Sequence, residues 1–265
     1  MDNLRRLRQA LQDYAGTDSI YHSYPRVVYD PEINRCGYTA FTGPDADDPF
    51  LIAQPNAPTT RPATAPAVER VQPSDVTASL WLLVREQYIT DLSVFVCPSS
   101  SATPDSLTDA WGHPVPVSRR SNFRSPNNLS YSYADPFSGY ADYRLISDQP
   151  GAFALLADRS PGSSAAIPAS NAPPLEMAVA NSRNHQRAGQ NVLHADGSVS
   201  FETSPYCGVA PKGADDGDNI FTALAPAPLA SGDSPLYDLQ GYCGRQYGPS
   251  YQYDSYLVPT DEDGR

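Results

Sequence analysis

Asp196-Gly197 constrains this chain more than any other pair of residues. Asp-Gly between short runs of strand-forming residues is among the strongest local signals for a β-hairpin. The runs here are 191–195 and 198–202. A two-residue type I′ turn at Asp196-Gly197 places Ala195 opposite Ser198, His194 opposite Val199, Leu193 opposite Ser200 and Val192 opposite Phe201. In that register Val192, His194, Val199 and Phe201 share one face, which packs on the core. The chain must therefore contain an antiparallel sheet.

Helical periodicity adds a second layer. In 3–14 (NLRRLRQALQDY), Leu4, Leu7, Leu11 and Tyr14 recur at spacings of three and four, with Ala10 beside them and Arg5, Arg6, Arg8 and Gln12 opposite. Asn3 is a candidate cap, and Gly16 ends the helix. A second helix starts after Ser74 as cap, carries Val76, Leu80, Leu83 and Val84, and ends near Tyr88. Residues 94–97 (VFVC), 130–134 and 153–157 (FALLA) read as strands. The last is apolar throughout and is expected at the sheet's centre. This organisation is one α+β domain over 1–265. Within it, 1–15 is the N-terminal helix, 43–73 a Pro-rich loop, 74–222 the helix-and-sheet core and 223–265 a loop-rich C-terminal extension.

Composition agrees with a loop-rich, partly β protein: 27 prolines, 17 tyrosines and 40% hydrophobic residues in 265. The net charge of −12 argues against nucleic acid or an anionic membrane surface as the main partner. The apolar runs fall short of the roughly 18 residues that span a bilayer, and residues 1–14 lack the apolar centre of a secretory signal. The four cysteines, Cys36, Cys97, Cys207 and Cys243, contain no CxxC half-site. Scattered and even in number, they fit two disulfides in an oxidising compartment, with three connectivities open, or buried thiols.

Common catalytic signatures (GxSxG, HExxH, Walker A, GxGxxG) are absent. The conspicuous polar residues are His185 and Asp196. One reading makes them a recognition or metal site, or joins His185 to Asp158 or Asp196 in a hydrolase. The other has Asp196 holding its turn and His185 bonding to the backbone. His194 reads as a satisfied core ring. Asp215, Asp216 and Asp218 surround a glycine and supply oxygen donors of the type calcium takes, though the spacing is not that of an EF-hand.

Taken together, these segments resemble the planctomycete-type pseudopilins. Those proteins carry a prepilin N-terminal helix and a soluble domain ending in a His-x9-or-10-Asp-Gly motif. Here the motif is His185, then residues 186–195, then Asp196-Gly197, within NSRNHQRAGQNVLHADGSVSF. The segments NLRRLRQALQDYA (3–15), TASLWLLVREQYITDLSVFVCPS (77–99), LLADRSP (155–161) and SPYCGVAPKGADDGDNIFT (204–222) are similar to the group in order and spacing. The likeness covers most of 3–222. It departs at His194, where the group usually has an aromatic, and in the missing signal peptide and apolar segment of about twenty residues.

The resemblance implies a pilin-like fold, with the N-terminal helix packed on an antiparallel sheet. It implies a structural rather than enzymatic role in a type II secretion or type IV-like filament. The partners would be other pilin-like subunits. The location would be extracytoplasmic, anchored in the inner membrane through a helix outside this sequence. The calcium loop of major pseudopilins raises interest in Asp215, Asp216 and Asp218. The match of the segments around Cys97 and Cys207 implies that these two pair, leaving Cys36 with Cys243. The alternative function is a secreted calcium-dependent module that binds glycan or protein.

Overall fold

The computed structural model describes residues 1–29, 71, 73–109, 111–138, 140, 142–162, 167–214, 216–223, 249 and 251–259. Cys36, Cys243, Asp215 and nearly all of the Pro-rich loop 43–73 lie outside them. The architecture is α+β, a few helices with a five-stranded antiparallel sheet.

Helix α1 (Asp2–Thr17) is amphipathic, as its periodicity requires. Leu4, Leu7, Ala10, Leu11 and Ala15 are buried, whereas Arg5, Arg6, Gln9 and Gln12 are exposed. The buried stripe packs against the sheet, helix α2 and the 3-10 turn that follows α2. Tyr14 meets Tyr88 edge-on at 5.6 Å. Asn3 does not cap the helix. It lies in the first turn, and its amide donates to the Val96 carbonyl at 2.8 Å.

Helix α2 (Val76–Arg85) is capped by Asp75, not Ser74. The Asp75 carboxylate accepts from the Ala78 N–H at 3.0 Å, while Ser74 sits in the left-handed region at φ +57°. Trp81 of α2 is fully buried and meets Phe123 edge-on at 5.0 Å. Its indole N–H donates to the Arg120 carbonyl at 3.2 Å.

The strand expected at 94–97 does not form. Leu92–Phe95 is a 3-10 turn capped by Asp91. The Asp91 carboxylate accepts from both the N–H and the hydroxyl of Ser93, at 3.1 and 2.6 Å. This local side-chain bonding outcompetes the β preference of Val-Phe-Val. Val94 and Phe95 are buried nonetheless.

The sheet has the order β4-β3-β2-β1-β7. Its strands are β1 (Tyr131–Ala134), β2 (Ala154–Asp158), β3 (Gln190–His194), β4 (Val199–Glu202) and β7 (Leu257–Val258). The apolar run of β2 is central, as expected. The C-terminal extension is more than loops, because β7 pairs with β1 through Tyr133↔Val258. Strands β5 (Tyr206–Gly208) and β6 (Asp218–Asn219) form a separate two-stranded sheet.

The hairpin forms, but in a different register. Its loop has three residues, 195–197. The His194 carbonyl accepts from the Gly197 N–H at 2.8 Å, and the His194 N–H donates to the Ser198 carbonyl at 2.9 Å. Gly197 takes φ +84°, the left-handed position of a three-residue loop. The pairs are therefore Leu193↔Val199, Val192↔Ser200 and Asn191↔Phe201. A slip of one residue exchanges faces, and Phe201, expected in the core, is 40% exposed. His194 is buried and satisfied. One ring nitrogen lies 3.2 Å from the Ala152 carbonyl, which only accepts, so that nitrogen donates. The other then accepts from the Ser200 hydroxyl at 3.2 Å.

Two glycines hold this region in conformations that disfavour a side chain. A Cβ on Gly197 would fall 1.9 Å from the Arg8 guanidinium, the mobile end of a long side chain. A Cβ on Gly189, at φ +155°, would fall 2.3 Å from the Glu202 carbonyl oxygen. We expect Gly197→Ala to cost about 1–2 kcal/mol, the left-handed strain alone. Gly189→Ala should cost about 3 kcal/mol or more, since backbone must move. Urea unfolding of both variants checks the order.

Candidate functional site

The site is built at the end of the central strand. Asp158 closes β2 and is fully buried. A bulge at Leu155 sets what faces it. The pairing runs Ala154↔His194, then Leu156↔Leu193 and Ala157↔Val192. Continuing that register puts Asn191 across from Asp158, where an unbulged ladder would have put Gln190.

Asp158 is correspondingly well bonded. One carboxylate oxygen accepts from the backbone N–H of Asn191 at 2.6 Å and from its side-chain amide at 2.8 Å. The other accepts from the Asn184 amide at 3.1 Å. Asn184 belongs to a 3-10 turn, Arg183–His185, whose N-cap Ser182 accepts from the Asn184 N–H. Gln186 and Arg187 then take left-handed conformations at φ +55° and +66°. This doubles the chain back, so that the His185 ring lies over the start of β3.

The third contributor comes from far away in sequence. Cys97 follows the Leu92–Phe95 turn and is buried, with its N–H bonded to the Ser130 hydroxyl. Its sulfur is 3.6 Å from His185 Nε2, and Asp158 Oδ2 is 3.0 Å from the same nitrogen. Phe201 stands edge-on to the His185 ring at 5.5 Å. Among the described residues, Cys97, Asp158 and His185 form the one group of three metal-type donors whose ligand atoms all lie within 4.8 Å of one another.

Burial disfavours the Cys97 thiolate. Burial pushes the Cys97 thiol up to about 11, and the Asp158 charge adds to the effect. Burial, then Cys97 and Asp158, raise the neighbouring Tyr131 hydroxyl as well. A nucleophile–base–orienter chain needs the carboxylate on the ring nitrogen opposite the nucleophile. Here Asp158 and Cys97 crowd the same nitrogen.

Asp158 thus meets His185, as one reading of the sequence had it, whereas Asp196 does not. Asp196 lies at the other end of β2, where its N–H donates to the Gly151 carbonyl at 3.3 Å. Its carboxylate accepts from the Ser198 N–H at 2.8 Å. Bonding to Ser198 holds the Asp196 carboxyl below its ordinary value, with burial opposing and His194 and Arg8 assisting. The Asp-Gly half of the motif is a turn. His185 bonds to side chains rather than to backbone.

The cysteine pairing is corrected. Cys97 and Cys207 are free thiols. Cys97 faces His185, and Cys207 lies in β5 with its thiol raised by burial. The sequence reading puts Cys97 in a disulfide rather than beside His185 and does not single out Asn191, because nothing local in the sequence connects either to His185. The only signal was Cys97 beside Pro98, directly after a buried apolar run.

The described members of the acidic loop have different partners. Asp216 is exposed and accepts from the Ser170 hydroxyl at 2.6 Å. Asp218 is buried and accepts from the Ser255 N–H at 3.0 Å. Both border a cavity of about 640 Å³ beside Tyr206 and Ile167. Burial and the charge of Asp254 push the Asp218 carboxyl well above 3.8.

No family model, curated protein or solved structure matches this chain. Among the described residues no helix is long and apolar enough to cross a membrane.

The Asp218 shift has a sign that can be tested. The folded state holds its proton to higher pH than the unfolded chain does, so the unfolded state binds fewer protons above pH 3.8. Stability contributed by this group therefore falls as pH rises from there. Asp218→Asn keeps an oxygen for the Ser255 N–H and removes the charge. It should raise the melting temperature at pH 7 and flatten its decline above pH 4. Thermal melts across that range check it.

Proposed function

We propose that this chain is a non-enzymatic structural subunit of a pilin-like filament, of the type II secretion pseudopilus or type IV-like kind, in the cell envelope. The observation that carries the reading is the seating of α1. Its apolar stripe lies against an antiparallel sheet, and its Arg8 guanidinium rests on Gly197 of the motif's turn. A pilin-like subunit needs this join, because the helix that assembles the filament must carry its globular domain rigidly.

Two features support a structural role. Most of the His185–Gly197 signature is spent on folding: a 3-10 turn, two left-handed residues, strand β3 and its loop. The second is the likeness of segments across most of 3–222 to the pseudopilins, in order and spacing. In this reading α1 continues an upstream apolar helix into the inner membrane. Its polar face, with Arg5, Gln9 and Gln12, is directed at neighbouring subunits.

The test uses the full gene product in its own cells. Single cysteines replace Arg5, Gln9 or Gln12, and membranes are oxidised mildly. The expected result is a ladder of cross-linked multimers in the envelope fraction, above the background of the parent chain. A monomer confined to the soluble fraction, with no ladder at any position, overturns the reading.

A further inference from the structure

The contacts around His185 Nε2 do not close as a hydrogen-bond network. The Asn191 side-chain nitrogen lies at 2.8 Å, Asp158 Oδ2 at 3.0 Å and Cys97 Sγ at 3.6 Å. A ring nitrogen offers one hydrogen or one lone pair. As a donor it satisfies Asp158 but meets the amide hydrogens of Asn191. As an acceptor it satisfies Asn191 but faces the lone pairs of the carboxylate. Turning the Asn191 amide over moves the conflict to Asp158, which its nitrogen already bonds at 2.8 Å.

We propose that Cys97, Asp158 and His185 form a binding site for a divalent transition metal of the zinc class. A cation among the three accepts a lone pair from each, and Asn191 then needs only its bonds to Asp158. The spacing fits. Zinc bond lengths of about 2.3 Å to sulfur and about 2.0 Å to nitrogen or oxygen, at tetrahedral angles, put S···N at ~3.5 Å and N···O at ~3.3 Å. The observed separations are 3.6 and 3.0 Å.

The donor chemistry selects the metal. Calcium and magnesium take oxygen ligands, whereas sulfur and imidazole nitrogen together suit zinc. The ligands are also oriented from behind. Asn184 and the Asn191 N–H fix the carboxylate, and such partners are a regular part of metal sites. The His185 side chain is 22% exposed, the others nearly fully buried. The opening is thus on the His185 side, where water completes a fourth position.

The site joins three segments distant in sequence: the turn after Leu92–Phe95, the end of β2 and the bend before β3. It does the cross-linking expected of a disulfide. It rests on none of the evidence for a filament, so failure of either reading leaves the other standing.

The experiment uses the full chain, reduced and stripped with chelator, then titrated with cobalt(II). The expected result is one equivalent bound, with a sulfur-to-cobalt absorption band in the near ultraviolet. Zinc displaces it, and one zinc per chain is found by elemental analysis. Cys97→Ser abolishes the band. His185→Gln, at a partly exposed ring, weakens binding by more than about 100-fold, beyond what losing a partner behind a ligand costs. A chain with serine at Cys36, Cys207 and Cys243 keeps the band. If Cys97→Ser does not fold, His185→Gln with that triple variant decides. No band, a band indifferent to His185→Gln, or a band lost in the triple variant overturns the proposal.

Discussion

A buried carboxylate at the end of the central strand sets the terms for the rest of the fold. Asp158 is sealed from water between β1 and β3, opposite Tyr131 on one side and Asn191 on the other. Unsatisfied, such a charge costs several kcal/mol. Satisfying it requires the Leu155 bulge, which brings Asn191 rather than Gln190 across from it. It also requires the 3-10 turn that presents Asn184, and the left-handed pair at 186–187 that returns the chain to the sheet. Gly189 completes the return by passing against the Glu202 carbonyl. These features are consequences of one group's need for donors.

The same device holds the irregular parts. Asp105 and Arg120, both fully buried side chains, pair at 2.7 Å. Asp105 also accepts from the N–H groups of Leu107 and Arg124, at 2.8 and 2.6 Å. Arg120 lies 5.5 Å from the Trp81 ring centroid. Asp75 caps α2 and accepts from Thr77 and the Asn122 amide. A chain rich in proline has fewer ladder hydrogen bonds with which to satisfy its backbone. Here buried carboxylates accept what strands and helices otherwise would. Removing one partner of such a pair costs about 3–5 kcal/mol, because the other stays buried.

This explains which elements were legible in sequence. The stripe of α1 and the run of β2 follow from hydrophobic pattern alone, and both stand where expected. The α+β class followed from them and the hairpin. The hairpin's register did not. Asp-Gly suits a two-residue loop as well as a three-residue loop with glycine third, and contacts from outside choose between them. The Gly151 carbonyl takes the Asp196 N–H, and Arg8 covers Gly197. At 94–97 a single carboxylate, Asp91, turned a strand-like run into a 3-10 turn. Cys97 was legible as a cysteine but not as His185's neighbour, since 88 positions separate them. Proximity of that kind is written in the sheet, not in the local pattern.

The spacing of the motif now has a geometric meaning. Its two ends bracket β3, whose five residues span about 17 Å at the usual rise per residue. Because β3 runs antiparallel to β2, His185 comes to the Asp158 end and Asp196 to the Gly151 end. The intervening segment, 186–195, is the bend plus one sheet-crossing strand. A change in that length would detach either the ring from Asp158 or the turn from Arg8. The two polar residues that stand out in the sequence are therefore not partners. Asp196-Gly197 serves the join between helix and sheet, and His185 serves a separate cluster with Cys97 and Asp158. A motif that reads as one site is two attachments held apart by a strand.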